Sequence, residues 1–263
     1  MKDIKIFSKY LLIFLIIYFG YFSTIINAKI VDVSNDESKV IYLTFDDGPS
    51  YLITNRILDI LKEKQVKGTF FVVGSQIKDR EEILKRIYVE GHSIGLHTYT
   101  HKYKKVYKSE EGFIEEMRKT SDEIYAVIGI SPTIIRFPSG SKRRLNDVFL
   151  EKLHKEKYKV YDWNASLSDG INPNLSCDIL YRNAIKLKNH HLVILLLHCN
   201  ADNKKTCHAL PRIIEYYKSL GYDFKTITDQ TPEYYFRYWL IFHVTIGFRF
   251  YLNLWKKYCI IKK

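Results

Sequence analysis

Residues 40–50 read VIYLTFDDGPS and open the regular part of the chain. The first six are β-branched, aliphatic or aromatic and predict a buried strand, and the Asp-Asp-Gly-Pro that follows predicts a turn. Residues 51–65 then carry apolar side chains at helical spacing, namely Ile53, Ile57, Leu58 and Leu61. This succession of strand, turn and helix is the repeating unit of parallel α/β sheets.

The same alternation of strand and helix patterns continues along the chain. Apolar runs that predict strands follow at 69–73, 93–96, 134–137, 159–163, 191–197 and 224–227. Helical patterns lie between them at 81–90, 110–128, 146–157, 178–187 and 209–220. Repeated βα units with buried strands predict an α/β fold, a distorted (β/α) barrel with about seven parallel strands. In such barrels the chemistry gathers where strands end and loops begin.

The composition excludes several classes of protein. A chain of 263 residues that is 46% hydrophobic, with 12 Gly and 6 Pro, is not collagen-like, low-complexity or disordered. Four cysteines are too few for a small disulfide-built fold. The 41 Lys and Arg against 29 Asp and Glu give a net charge of +12, which indicates an ordinary solvated surface or attraction to an acidic wall or membrane. Because no nucleic-acid-binding motif occurs, we expect no nucleic acid partner.

The two ends of the chain differ in composition from its middle. Residues 1–28 combine a basic start with an apolar run and predict a signal peptide or an N-terminal anchor, and therefore export. Residues 29–39 form a polar linker, and residues 40–230 hold the strand and helix patterns. Residues 231–263 are aromatic and basic and predict an interfacial segment, a helix packed on the barrel or an unstructured tail. Both ends are candidates for membrane contact at the cell surface.

Polar residues after two predicted strands have the composition of a metal site. Asp46 and Asp47 are adjacent carboxylates, which repel unless a cation or a division of roles separates them. His97 and His101 are four residues apart, so both rings can face one ion. With Asp47 they would form a site of two histidines and one carboxylate with a position open for water, as in zinc enzymes. The alternatives are an ordinary acidic turn and two structural histidines.

Two more residues at strand ends are candidates for catalysis. Arg136 ends one strand, and its planar guanidinium can clamp a carboxylate. His198 follows the most apolar strand, where a general acid would be placed. Read alone, each is also compatible with a surface arginine beside a turn or with a structural histidine. The other histidines are assigned to structural or surface roles: His92, His154, His190, His191, His208 and His243.

Together and in this order, these motifs resemble the polysaccharide deacetylases of carbohydrate esterase family four, the NodB-homology domain. The resemblance covers residues 40–230 and rests on TFDDGP at 44–49, H-T-x-x-H at 97–101, R-F-P at 136–138 and L-x-H at 196–198. It implies a metal-dependent hydrolase that removes N-acetyl groups from amino sugars of a cell-surface polysaccharide, with peptidoglycan as the first candidate. It also implies a divalent metal, most often Zn²⁺, with Co²⁺ or another divalent ion open.

The resemblance implies a role for each residue of the motifs. Asp47, His97 and His101 would bind the metal, Asp46 would be the general base, and His198 would protonate the leaving amine. The surrounding residues would orient these groups and build the pocket. By the same resemblance, Arg136 would orient the base, the backbone N–H of Ser139 would stabilise the oxyanion, and the pocket would be lined by Pro138, Trp163 and Leu196.

The sequence departs from the family pattern in its fourth motif, which often reads W-x-x-D-x-x-D-W. Trp163 and Asp169 match, and the resemblance makes Asp169 the partner of the acid histidine. Ser166 replaces the first acid and Gly170 the second Trp, and Ser139 stands where an aromatic residue is common. We therefore expect an altered substrate preference or modest activity.

Several alternatives stay open from the sequence. A wall-binding protein could keep the fold without activity, and chitin-type oligomers or acetylated xylan could be the substrate. The FDDG sequence also suggests a haloacid-dehalogenase-like phosphatase, but that chemistry needs Asp-x-Asp and would leave the two metal-site histidines unused. Cys199 and Cys207 form a disulfide outside the cell or are free thiols.

Overall fold

The computed structural model describes residues 38–187 and 190–236. The predicted signal or anchor, the linker up to residue 37 and the tail from residue 237 lie outside these residues. The described strands are β1 Val40–Gly48, β2 Thr69–Val72, β3 Ser93–Leu96, β4 Ile134–Ile135, β5 Lys159–Val160, β6 Ala165–Ser166, β7 Leu192–His198 and β8 Asp223–Lys225. The described α-helices are α1 Ile53–Glu63, α2 Glu81–Val89, α3 Tyr103–Val106, α4 Glu110–Ile128, α5 Asp147–Lys155, α6 Cys177–Ala184 and α7 Lys204–Ser219.

The strands form one parallel sheet. Their order is β5-β4-β3-β2-β1-β7-β6, and β8 pairs with β1. Each pairing between these strands is parallel. The path of seven strands curls into a half-barrel, so the predicted α/β barrel of about seven parallel strands is confirmed.

Side chains of each strand alternate between two cores, because successive residues of a strand point to opposite faces. In β1, Leu43 and Phe45 pack in the outer core beneath the helices, whereas Tyr42 contacts an inner core within the barrel. The inner core takes residues from several elements: Phe71, Ile134, Tyr161, Ile194 and Ile227. A residue two positions after an inner-core residue in the same strand therefore also points into the barrel. Such a residue lies nearer the carboxyl edge of the sheet.

A bulge in β1 lets two adjacent aspartates reach this edge together. Asp46 pairs with Phe71 and Gly48 with Val72 of β2, so Asp47 is an extra residue between these pairs. The φ angle of Asp47 is 67°, a left-handed conformation that a residue with a β-carbon rarely adopts. A regular strand would turn the two side chains to opposite faces, so the bulge is the local feature that brings both carboxylates together.

Some elements differ from the sequence prediction. Helix α7 begins at Lys204 rather than at residue 209 and has Pro211 in its interior. Strand β6 and helix α3 were not predicted, because elements of two and four residues leave no periodic pattern. Among the helices of residues 38–187 and 190–236, none is both long and apolar enough to cross a membrane.

Residues 231–236, the start of the predicted C-terminal tail, pack on the barrel, which was one of the alternatives that the sequence left open. Tyr234 forms a parallel bridge with Tyr161, just beyond β5. Phe236 donates its backbone N–H to the carboxylate of Asp162 at 2.8 Å. The stretch supplies backbone partners to an edge of the sheet, which is why it belongs with the barrel.

Cys199 and Cys207 are buried free thiols, so the disulfide considered from the sequence is not formed. The Sγ of Cys199 donates to the backbone oxygen of Asp46 at 3.3 Å. Burial raises the pKa of both thiols, to about 11 for Cys207. Both cysteines are therefore protonated packing residues.

Candidate active site

Parallel strands deliver the candidate residues to one edge of the sheet. Asp46 lies near the end of β1, His97 directly follows β3, Arg136 directly follows β4, and His198 ends β7. Because the carboxyl ends of parallel strands meet at one edge, residues far apart in the chain converge there. The structure thus brings together the residues that the sequence singled out, and their catalytic roles remain predictions.

Asp47, His97 and His101 form a cluster that can hold a metal ion. One ligand atom from each residue lies within 4.8 Å of the others. Asp47 Oδ1 lies 3.1 Å from His101 Nε2 and 3.4 Å from His97 Nε2. This buried oxygen forms no hydrogen bond with any described residue. A buried, unsatisfied carboxylate oxygen that faces two imidazole nitrogens is a suitable donor set for a divalent cation.

The charges around the cluster also favour a cation. Burial alone would raise the pKa of Asp47, but the nearby imidazoles of His97 and His101 lower this pKa well below its usual value. Burial alone would lower the pKa of His97, but Asp46 and Asp47 raise it. The carboxylates that favour a proton on His97 Nε2 would equally favour a metal ion there.

Hydrogen bonds orient the ring of His97 toward the cluster. Its Nδ1 donates to the backbone oxygen of Arg136 at 3.0 Å. The Nε2 atom is therefore the one left to act as a ligand, an arrangement common among metal-binding histidines. Burial lowers the pKa of His101, so this second ring is neutral at neutral pH and its nitrogen can also bind a metal.

Arg136 is fully buried and holds Asp46 in place. Its Nη1 donates to Asp46 Oδ1 at 2.9 Å. Its Nε and Nη2 donate to the backbone oxygens of Tyr161 and Asp162, at 2.7 and 3.0 Å. The other carboxylate oxygen of Asp46 lies 3.7 Å from His97 Nε2. Arg136 is therefore not a surface residue beside a turn, and its fork fixes the carboxylate beside the metal-binding cluster.

His198 is held by Asp169. Asp169 Oδ1 lies 2.9 Å from His198 Nδ1, and Asp169 Oδ2 accepts the backbone N–H of His198 at 2.9 Å. Burial alone would lower the pKa of His198, but the hydrogen bond and charge of Asp169 raise it to about 9. The ring is therefore protonated at neutral pH and can donate a proton from Nε2, as a general acid does.

The loop after β4 carries Ser139. Its backbone N–H donates no hydrogen bond within the described residues, and its φ angle of 63° is left-handed. Asp162 fixes this loop by accepting the backbone N–H of Ser141 at 3.0 Å. The backbone oxygen of Pro138 accepts a hydrogen bond from Tyr107 Oη at 2.6 Å. A free N–H on an anchored loop is suited to an oxyanion donor.

An aromatic ring borders the cluster although position 139 is a serine. Tyr103, on α3, has its hydroxyl 2.6 Å from Ser139 Oγ. The Tyr103 ring lies edge-on to the His101 ring, with 5.6 Å between the centroids. An aromatic ring therefore lies beside Ser139 and His101.

The other predicted pocket residues lie beside the candidate catalytic side chains. Leu196 is buried in β7 two residues before His198, and therefore on the same face of the strand. The half-buried ring of Trp163 packs edge-on against Phe236, with 5.3 Å between centroids. The Arg136 guanidinium lies 5.7 Å from the Trp163 ring. The substrate contacts assigned to Leu196 and Trp163 stay predictions.

The altered fourth motif leaves the contact between His198 and Asp169 intact. Ser166 places no acid near the site, and its Oγ accepts the backbone N–H of Ser168 at 3.0 Å within a local turn. Asp169, the acid of this motif that remains, pairs with His198 and is almost fully buried. The replacement of Trp by Gly170 therefore does not separate the two residues.

Sequence reasoning missed two positioning residues. Glu116 is a buried carboxylate on α4 that accepts the backbone N–H groups of Tyr99 and Thr100, at 3.1 and 2.7 Å, in the loop between His97 and His101. Thr206 on α7 donates its hydroxyl to Asp169 Oδ2 at 2.7 Å. A charged residue in the apolar stripe of a helix was an available signal for Glu116, whereas Thr206 left none.

Comparisons with known proteins place the chain in a family. A family model described as polysaccharide deacetylase matches residues 34–161. A peptidoglycan-N-acetylglucosamine deacetylase of Bacillus cereus is 32% identical over 199 residues, which cover 74% of this chain and 71% of that protein. The chain belongs to the polysaccharide deacetylase family. The resemblance noted in the motifs is therefore confirmed, and a phosphatase of the haloacid-dehalogenase type is excluded.

Further relatives of this polysaccharide deacetylase agree in sequence and fold. The peptidoglycan-N-acetylmuramic acid deacetylase PdaA of Bacillus subtilis is 32% identical over 199 residues, with 75% of this chain and 73% of PdaA covered. The crystal structure of the polysaccharide deacetylase Bc1974 from Bacillus cereus superposes with a TM-score of 0.69 at 31% identity. That match covers 77% of this chain and 98% of Bc1974.

Proposed function

We propose that this polysaccharide deacetylase removes N-acetyl groups from the amino sugars of peptidoglycan, with a divalent cation, first of all Zn²⁺, held by Asp47, His97 and His101. The observation that carries the proposal is the unsatisfied Asp47 oxygen between two imidazole nitrogens. The similarity to the named peptidoglycan deacetylases of two Bacillus species supports the substrate. Co²⁺ or another divalent ion would fit the same donors.

The first half of the reaction attacks the acetyl group. A divalent cation in the cluster would polarise the acetyl carbonyl and acidify water. The Asp46 carboxylate, oriented by Arg136, accepts the proton of the attacking water as the water oxygen bonds to the carbonyl carbon. The backbone N–H of Ser139 donates to the carbonyl oxygen as negative charge develops on it.

The second half of the reaction releases the amine. The imidazolium of His198 gives its Nε2 proton to the amide nitrogen as the carbon–nitrogen bond breaks. Asp169 holds the opposite nitrogen of the ring, so Nε2 is the atom free to face the substrate. Acetate and a free sugar amine are the products.

We also propose that the protein acts outside the cytoplasm, secreted or held at the cell surface by its N-terminal segment. The basic and apolar pattern of residues 1–28 supports export, and a peptidoglycan substrate lies outside the membrane. The net charge of +12 complements an acidic wall. Residues 1–28 and the part of the C-terminal tail after residue 236 are the proposed membrane contacts.

Acetate release tests the proposal. Wild-type protein is expected to release acetate from peptidoglycan and from N-acetylglucosamine oligomers, and both a chelator and Asp47→Ala should abolish release. Asp122→Ala, which removes an exposed carboxylate on α4, is the control and should keep full activity. Acetate release that survives both the chelator and Asp47→Ala would overturn the mechanism. Acetate release from acetylated xylan alone would overturn the substrate.

A further inference from the structure

A groove of about 490 Å³ lies between the start of α1 and the start of α7, outside the site described above. Its walls include Tyr51 and Leu52 from the chain before α1, Arg56 from α1, and Lys204 and His208 from α7. The volume falls in the range of about 300–1,000 Å³ that is usual for small-ligand sites. We call this feature the basic groove.

The basic groove lies beside the chain segments that follow β1 and β7. Its walls follow β1 and β7, the two strands that carry Asp46 and His198. Ser50 and Thr54 stand on either side of the groove residues 51–53 in the chain, and Ser50 Oγ and Thr54 Oγ1 both donate to the backbone oxygen of Cys199, the residue after His198, at 2.6 and 3.2 Å. A polymer bound across the catalytic edge can therefore reach the basic groove.

The charges of the basic groove are not balanced by the protein. Arg56 and Lys204 are exposed, and neither side chain forms an ion pair or hydrogen bond with any described residue. The acid in the groove, Asp59, is paired with Arg86 at 2.6 Å. Helices α1 and α7 have no acidic residue in their first turns, so their dipoles are not neutralised there. Two exposed cationic side chains, Arg56 and Lys204, thus line the groove without a partner among the described residues.

The groove also offers apolar contact area. Tyr51 is 70% exposed and Leu52 is 68% exposed. An exposed aromatic face beside cationic donors suits a ligand that carries both apolar surface and negative charge. A neutral sugar would use the ring but leave Arg56 and Lys204 without partners.

We propose that the basic groove binds a carboxylate of the glycan next to the sugar being deacetylated, so the substrate is an acidic glycan such as peptidoglycan. The proposal rests on the proposed function and adds a reason to prefer peptidoglycan over neutral chitin-type oligomers. In peptidoglycan the carboxylate comes from the peptide stem or, where the stem is removed, from the lactyl ether.

The double variant Arg56→Gln/Lys204→Gln tests the groove. On peptidoglycan strands we expect kcat/KM to fall about five- to tenfold, mainly through KM, because two exposed charge contacts are lost. On an uncharged N-acetylglucosamine pentamer, kcat/KM should stay within about twofold. The control is Lys62→Gln/Lys205→Gln, which removes the same charge from α1 and α7 outside the groove. Equal losses on both substrates, or no loss on peptidoglycan, would overturn the proposal.

Two further experiments distinguish a failure of the groove proposal from a failure of the proposed function. Strands treated with an amidase carry the lactyl carboxylate without the stem, and they show which carboxylate is bound. Calorimetry of muropeptide binding to wild type and to the double variant needs no turnover. If no acetate is released from any glycan, the proposed function fails, while weaker muropeptide binding by the double variant would still support the groove. Equal muropeptide binding by the wild type and the double variant would overturn the proposal that the basic groove binds the glycan.

Discussion

The backbone of Gly170 lies against the imidazole ring of His198. A β-carbon placed on Gly170 would collide with the ring atoms Cε1, Nε2 and Nδ1 of His198. The ring that Asp169 holds therefore occupies space that only a glycine leaves open. Although Gly170 stands where the family pattern has a Trp, His198 and Asp169 remain paired.

Gly170→Ala should displace His198 from Asp169. We expect kcat for acetate release to fall about 10- to 100-fold, because a displaced general acid loses most of its contribution. Zinc affinity should be unchanged, since Gly170 is not one of the clustered ligands. Kinetics on N-acetylglucosamine oligomers and a zinc titration on the same preparation are the measurements. Full activity in this variant would show that His198 tolerates displacement or is not the acid.

Asp169→Asn should change the pH dependence of activity. A general acid must be protonated, so activity falls as the pH rises through the pKa of His198, which lies at about 9. Without the negative charge of Asp169 this pKa falls, and the basic limb of kcat/KM should move about 1–2 units toward lower pH. The exposed Asp178→Asn serves as control. A basic limb that does not move would contradict the assignment of His198.

Glu116→Ala should weaken metal binding without removing a ligand. The carboxylate holds the loop between the two metal-site histidines, and its loss frees that loop. We expect zinc affinity to fall about 10- to 100-fold, as measured by calorimetry. Glu116→Gln should restore most of the affinity, because an amide oxygen can accept the same N–H groups. The neighbouring exposed Glu115→Ala should have no effect, and an equal loss there would contradict the account.

Arg136→Ala should destabilise the fold strongly. It leaves Asp46 buried without its cation and removes the hydrogen bonds to Tyr161 and Asp162. The expected loss in the free energy of unfolding is about 3–5 kcal/mol, measured by urea denaturation. Arg212→Ala, which breaks the exposed pair with Asp178, should cost less than about 1 kcal/mol. Similar losses in both variants would mean that burial does not increase the contribution of Arg136 to the free energy of unfolding.

Much of the fold was predictable because it rests on periodicity. The buried strand at 191–197 and the helix at 110–128 carry long, regular apolar patterns, and the structure has both near the predicted bounds. The start of α7 was predicted too late in the chain. Its first turns hold polar residues such as Thr206, whose type predicts exposure to solvent although the side chain is buried. Residues 231–236 were assigned to the C-terminal tail and not to the barrel domain. Their contacts are with backbone far away in the chain, and composition does not predict such contacts.

The candidate site was predictable only where residues occur in short motifs. His97 and His101 could be paired from their spacing alone, and a parallel barrel predicts that strand ends converge. The bulge at Asp47 was not predictable, because register depends on the partner strand β2. Glu116 could be noticed as a charged residue in the apolar stripe of a helix, but its hydrogen-bond partners, 16 and 17 residues away, have no local pattern.

Zinc binding by wild type and three variants tests the central claim most directly. By calorimetry we expect one Zn²⁺ per chain, with affinity lowered at least about 100-fold in Asp47→Ala, His97→Ala and His101→Ala. His190→Ala, at a histidine outside the cluster, should bind zinc as the wild type does. Wild-type zinc affinity in all three ligand variants would contradict the account.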